Sequence, residues 1–155
     1  MFRTLRVIFC GLVLIGTLGA GTKILGSADG ETPGTHIDVT ELKRISGNMV
    51  SLRYVLVSNI DTGIGLGDWM DGSDKMHDST TIAGVYLDDG NTKYTVVRDA
   101  QNACVCSTGL KMLDPKTKMN LWVKFPAPPT SVTKLNVNVP HFPPVSDVPL
   151  TPLSQ

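Results

Sequence analysis

The sequence predicts an all-β fold, an immunoglobulin-like antiparallel sandwich of about seven strands, on three observations. Several stretches alternate apolar and polar residues with a period of two, the pattern of strands with one buried face. Turn formers are frequent, with 15 glycines and 10 prolines in 155 residues, as a fold with many chain reversals requires. Beyond the N-terminal segment, no apolar stripe persists at helical spacing over ten or more residues. Apolar residues make up 41% of the chain, enough for one core and too many for a disordered chain.

Residues 1–28 have the pattern of an export leader. Arg3 and Arg6 precede the apolar run VIFCGLVLIGTLGA, and small residues follow, the order found in secretory signals. That run is shorter than the roughly 20 apolar residues of a membrane-spanning helix. Cleavage is possible after Ala20 or after Ala28; an uncleaved leader would act as an anchor and be the protein's one tie to a membrane. Cys10 does not fit a lipidation motif, because bulky Phe9 precedes it. Either way the domain is expected outside the cytoplasm, in the periplasm, envelope or medium. Arg3, Arg6 and Lys23 are three of the 14 basic residues and no acid precedes Asp29, so the rest carries 11 bases against 14 acids. A mildly acidic domain without a basic run argues against nucleic acid as a partner.

After a polar linker over 29–35, the domain is expected over 36–150, with a frayed tail at 151–155. His36 to Ile45 is the first predicted strand. Asn48 to Ser58 sets Val50, Leu52, Tyr54 and Leu56 on one face; its other face mixes Ser51 and Arg53 with Val55 and Val57, which suits a central strand. Asn59 to Thr80 reads as a long loop. Ile82 to Leu87 and Lys93 to Arg98 flank Asp88-Asp89-Gly90-Asn91 and predict a β-hairpin. Ala103 to Cys106 is a short strand or turn. Met119 to Phe125 sends Met119, Leu121, Val123 and Phe125 one way, inward, and Asn120, Trp122 and Lys124 the other. Thr133 to Val139 sends Leu135, Val137 and Val139 inward and Lys134, Asn136 and Asn138 outward. The prolines from Pro140 to Pro144 end that last strand.

Cys104 and Cys106 are the sharpest candidates for local chemistry. Once the leader and Cys10 are removed they form an even pair, which an oxidising compartment allows to close as a disulfide. In a fully extended strand their Cα atoms would sit near the upper limit for a bridge, so closure requires a bend. Three readings stay open: a structural disulfide, two free thiols, or a soft-metal site for copper(I). The acidic stretch with Asp61, Asp68, Asp71, Asp74, His77 and Asp78 offers carboxylates to calcium, with Asp68, Asp71, Asp74 and Asp78 as ligand candidates. It lacks the regular spacing and closing Glu of a calcium loop, so a solvated loop is the simpler reading. Trp69 in that loop and the outward Trp122 are candidate partner-binding residues; a pinned loop and a covered sheet face are the alternatives.

No catalytic set is evident. His36, His77 and His141 are scattered, and no nucleophile elbow, HExxH helix or phosphate-binding glycine loop occurs. Gly63 to Gly67 opens no helix, and Asp88 and Asp89 sit where carboxylates bond their own turn. No cofactor is expected.

Longer strings carry a family resemblance. Leu113-Asp114-Pro115-Lys116-Thr117, Leu121 to Pro129 (LWVKFPAPP), Val137 to Pro144 (VNVPHFPP) and Asp147-Val148-Pro149-Leu150 resemble the exported immunoglobulin-like module of bacterial OmpA-family and stand-alone envelope proteins. Tyr86-Leu87-Asp88-Asp89, Tyr94, Arg98-Asp99 and Cys104 to Ser107 resemble its middle. The resemblance spans about 36–150. It implies a sandwich fold, an envelope context and a partner that is another envelope or surface protein. It supplies no catalytic residues, and no OmpA-like C-terminal domain follows in this sequence, so peptidoglycan binding does not carry over.

Overall fold

A computed structural model describes residues 22–66, 70 and 80–153. Every named element is a strand and every strand pair is antiparallel. The first sheet contains β1 (Gly26–Asp29), β2 (Thr35–Ile45), β3 (Met49–Ser58) and β8 (Lys118–Pro126), in the order β1-β2-β3-β8. The second contains β5 (Tyr86–Asp88), β6 (Lys93–Thr95), β9 (Lys134–Asn138) and β10 (Val145–Pro149), in the order β10-β9-β5-β6. A two-stranded ribbon joins β4 (Ile64–Gly65) to β7 (Met112–Leu113). Among the described residues, eight strands in two sheets stand against the expectation of about seven.

The inner faces follow from the period-two pattern. Val50, Leu52, Tyr54 and Leu56 of β3 are all buried, as are Leu121, Val123 and Phe125 of β8. They form one cluster with Ile37, Val39 and Leu42 of β2, Leu87 of β5, Leu135 and Val137 of β9, and Val145 and Val148 of β10. Two sheets sharing one apolar layer make a β-sandwich. β3 is central, between β2 and β8, which explains why Val57 on its other face is also buried.

Both tight turns between paired strands use positive φ. Gly47 (φ 78°) and Asn48 (φ 53°) reverse β2 into β3. Gly90 (φ 88°) turns β5 into β6, the hairpin its Asp-Asp-Gly-Asn run predicts, with shorter strands than the pattern indicates.

Four places differ from the sequence reading. Gly26–Asp29, which spans the expected boundary between leader and linker, pairs with Val39 to His36 as an edge strand. Four residues are too few to show a period, and the strand is set by β2 and by close packing on β10: a Cβ on Gly26 would lie 2.5 Å from Val145 Cγ1. Thr35, the last linker residue, is buried and belongs to β2. β10 lies inside a stretch whose prolines argue against a strand. It is tolerated at the edge of its sheet, with a bulge between Val145 and Val148 that places Asp147 at φ 55°. Thr151, assigned to the frayed tail, instead bonds across to β2: its N–H donates to Leu42 O (2.9 Å) and its carbonyl accepts from Arg44 N–H (2.9 Å). Arg44 itself donates to the carbonyls of Pro128, Pro129 and Val132, tying β2 to the connection between β8 and β9.

Tyr54 is an exception inside the core. Its ring is fully buried, and its hydroxyl has no hydrogen-bond partner among the described residues. Burial pushes the phenol pKa upward. An unsatisfied buried donor is destabilising, so Tyr54→Phe is expected to raise stability by about 1 kcal/mol in urea unfolding. A loss of similar size would show that the hydroxyl has a partner.

Candidate functional site: the outer face of the first sheet

The outer face of the β1-β2-β3-β8 sheet combines exposed apolar and charged side chains. Strand β8 presents Lys118, Asn120, Trp122 and Lys124 outward, alternating with the buried Leu121, Val123 and Phe125. In register, Trp122 lies opposite Arg53 of β3, and Arg53 opposite Glu41 of β2. Asn120 lies opposite Val55, and Val55 opposite Asp38. Trp122 is 36% exposed, so its indole is not a core group. A hollow of about 340 Å³ is lined by Thr22, Ile24, Asp38, Thr40, Val55, Lys118 and Asn120. A smaller one of about 140 Å³ lies between Thr40, Arg53, Asn120 and Trp122. The two share Thr40 and Asn120, so a shallow groove runs from Ile24 to Trp122. Ile24 is 52% exposed, giving the groove an apolar residue at each end.

The charges on this face are unevenly satisfied. Asp38 accepts from Ser27 Oγ (2.6 Å) and faces His36 at 3.6 Å. Glu41 pairs with Lys43 at 2.7 Å and with Arg53 at 3.4 Å. Lys118 and Lys124 of β8 have no ion pair among the described residues, and Arg53 is still 63% exposed beside its partner. Glu41 of β2 is therefore engaged by Lys43 and Arg53, while Lys118 and Lys124 on either side of Trp122 have no such partner among the described residues.

Trp122 is held through its backbone by the cysteine segment. Its N–H donates to Ser107 Oγ and its carbonyl accepts from Ser107 N–H, both at 2.9 Å. Lys124 N–H donates to Val105 O at 3.1 Å. Residues 105–107 thus cover the outer edge of β8. Within this segment the sulfurs of Cys104 and Cys106 are at bonding distance, with Cα atoms 5.3 Å apart. An extended strand would separate them by roughly 6.6 Å. The contraction arises because Cys104 bridges to Arg98 while Cys106 bridges to Val123, so the chain bends between two partners. Cys106 lies in the core and Cys104 is partly buried against it.

The opposite outer face is polar and self-satisfied. Asp88 accepts from Asn136 Nδ2 (2.8 Å), Asn138 Nδ2 (2.7 Å) and Gly90 N–H (3.0 Å). Burial works against ionisation of Asp88, but these three hydrogen bonds outweigh it and hold its pKa below the usual carboxylate value. The N–H groups of Thr92 and Asn91, with the Tyr94 hydroxyl, do the same for Asp89. With folded pKa values depressed, the unfolded chain takes up protons first as pH falls. Stabilisation from both groups is present above their ordinary value of 3.8 and is lost as pH drops through the lower folded values. Asp88→Asn is expected to be less stable than wild type at neutral pH, with the gap closing below about pH 4. A pH-independent gap in urea midpoints would contradict this.

The remaining candidates fall elsewhere. Asp68, Trp69, Asp71, Asp74, His77 and Asp78 lie outside the described residues. Asp61 is exposed and pairs with Lys116 at 2.6 Å. His36 and His141 stand apart, beside Asp38 (3.6 Å) and Glu31 (3.0 Å) respectively. Among the described residues no group of three or more His, Cys, Asp or Glu is placed to hold a metal ion. Sequence reasoning found Trp122 and its direction from strand alternation alone. It did not find the groove or the role of Ser107, which depend on pairings between distant segments.

Comparison of the chain with protein-family models, with curated proteins and with solved structures gave no match.

Proposed function

We propose that this protein is a non-enzymatic binding module of the bacterial cell envelope that docks a partner protein on the outer face of its first sheet. The observation that carries the reading is Trp122, exposed on a strand whose alternation is otherwise apolar-in and polar-out, beside Arg53 and at the end of a groove. Trp and Arg are the residues that most often dominate binding energy. Strand order supports an immunoglobulin-type topology: β2, β3 and β8 take positions A, B and E, and β5, β9 and β10 take C, F and G. The fold alone implies no activity. Export rests on the leader pattern of residues 1–28 and on the cysteine pair, whose bonding distance suits an oxidising compartment.

Cell fractionation tests this reading. Wild type is expected in the envelope fraction, two hydrogens lighter than its fully reduced mass, and resistant to a low-salt wash. Trp122→Ala is expected to be exported and folded equally well but released by that wash. A cytoplasmic wild type, or equal retention of the variant, would contradict it.

A further inference from the structure

The charges around Trp122 narrow the kind of partner. We infer that the outer face of β8 docks an extended, carboxylate-bearing protein segment, with an apolar side chain against Trp122 and acidic side chains toward Lys118 and Lys124. This rests on the reading that the face binds a partner and adds the partner's chemistry.

The domain beyond the leader carries more acids than bases, so available positive charge on this face runs against the average. It resides on Lys118 and Lys124, because Glu41 is already paired with Lys43 and Arg53 and neither lysine has an ion pair among the described residues. Lys118 and Lys124 alternate with Asn120 and Trp122 on one side of one strand. At roughly 3.3 Å per residue the two lysines stand about 20 Å apart, with Trp122 between them. An extended peptide meets such a row with its side chains at matching intervals. A bilayer is a poorer match, since attraction to anionic lipid takes a cluster of about 4–8 basic residues. Complementary charge at the rim of an aromatic contact speeds association and sets register.

The test is binding of the purified domain to a random copolymer of glutamate and tyrosine, followed by fluorescence anisotropy at several salt concentrations. Polygalacturonate and anionic lipid vesicles serve as the comparison polyanions. Saturable binding to the copolymer is expected, weakening with salt and reduced at least about tenfold by Trp122→Ala. The double reversal Lys118→Glu with Lys124→Glu, on exposed or half-buried positions, is expected to reduce it as much with unchanged thermal unfolding. No saturable binding to the copolymer would overturn the inference. So would equal binding of polygalacturonate or vesicles, which would assign the face to a glycan or a lipid surface. If Trp122→Ala alone weakens binding and charge reversal does not, the acidic partner is wrong and the docking face stands. The envelope-retention assay, read separately, decides whether that face binds anything in the cell.

Discussion

Replacing Phe125 with alanine is expected to lower stability by about 3–5 kcal/mol. Phe125 is fully buried at the end of β8, opposite Val50 of β3, and belongs to the cluster shared by both sheets. Truncation removes the transfer energy of the ring and leaves a space that rigid strands close only in part. Asn120→Ala, five residues earlier and on the other side of the strand, is expected to change stability by no more than about 0.5 kcal/mol. Urea unfolding of the two variants checks the direction of the whole strand. If Asn120→Ala were the costly change, β8 would face the other way and Trp122 would be a core residue.

The second large effect concerns the N-terminal edge. A chain beginning at Asp29 is expected to be less stable than one beginning at Gly21 by about 2–4 kcal/mol, from roughly three backbone hydrogen bonds at about 1 kcal/mol each and the lost cover of Leu25. Leu25 N–H donates to Val39 O at 2.7 Å, and Gly26, Ser27 and Ala28 pair with Val39, Asp38 and Ile37. Losing β1 would bare that length of β2 as an open edge, the usual template for unwanted pairing. Of the two cleavage points in the leader pattern, the one after Ala20 keeps β1 and the one after Ala28 removes it. Equal urea midpoints for the two chains would show that β1 adds nothing to the fold.

How much of this was legible depended on strand length and on the range of the contact. β3 and β8 have ten and nine residues, enough for a period-two pattern to set the buried face and the direction of Trp122. β9, at five residues, was legible because Leu135, Val137 and Val139 alternate with Lys134, Asn136 and Asn138. β1 and β10 were not: one is four small or polar residues, and the other follows Pro143-Pro144 and ends in Pro149, a placement whose tolerance depends on an edge position. Thr151 carries no strand signal of its own, because its partner, β2, lies more than a hundred residues earlier. The candidate site divides the same way. Trp122, Cys104 and Cys106 were individually visible in the sequence. The groove between Ile24 and Trp122, the engagement of Glu41 by Arg53, and the coverage of β8 by Ser107 exist only after residues 22–24, 41, 53, 107 and 122 are brought together. Asn136 and Asn138 were placed correctly outward, but their shared partner Asp88, about fifty residues away, had no sequence signal.

Site-specific photocrosslinking in intact cells reads whether a partner protein meets the outer face of the first sheet, with a benzophenone side chain at Asn120 and, as control, at Thr95 on the opposite face. A discrete protein adduct at position 120 that disappears with Trp122→Ala, and none at position 95, is the predicted result. No adduct at 120, or the same adduct from both positions, would contradict the account.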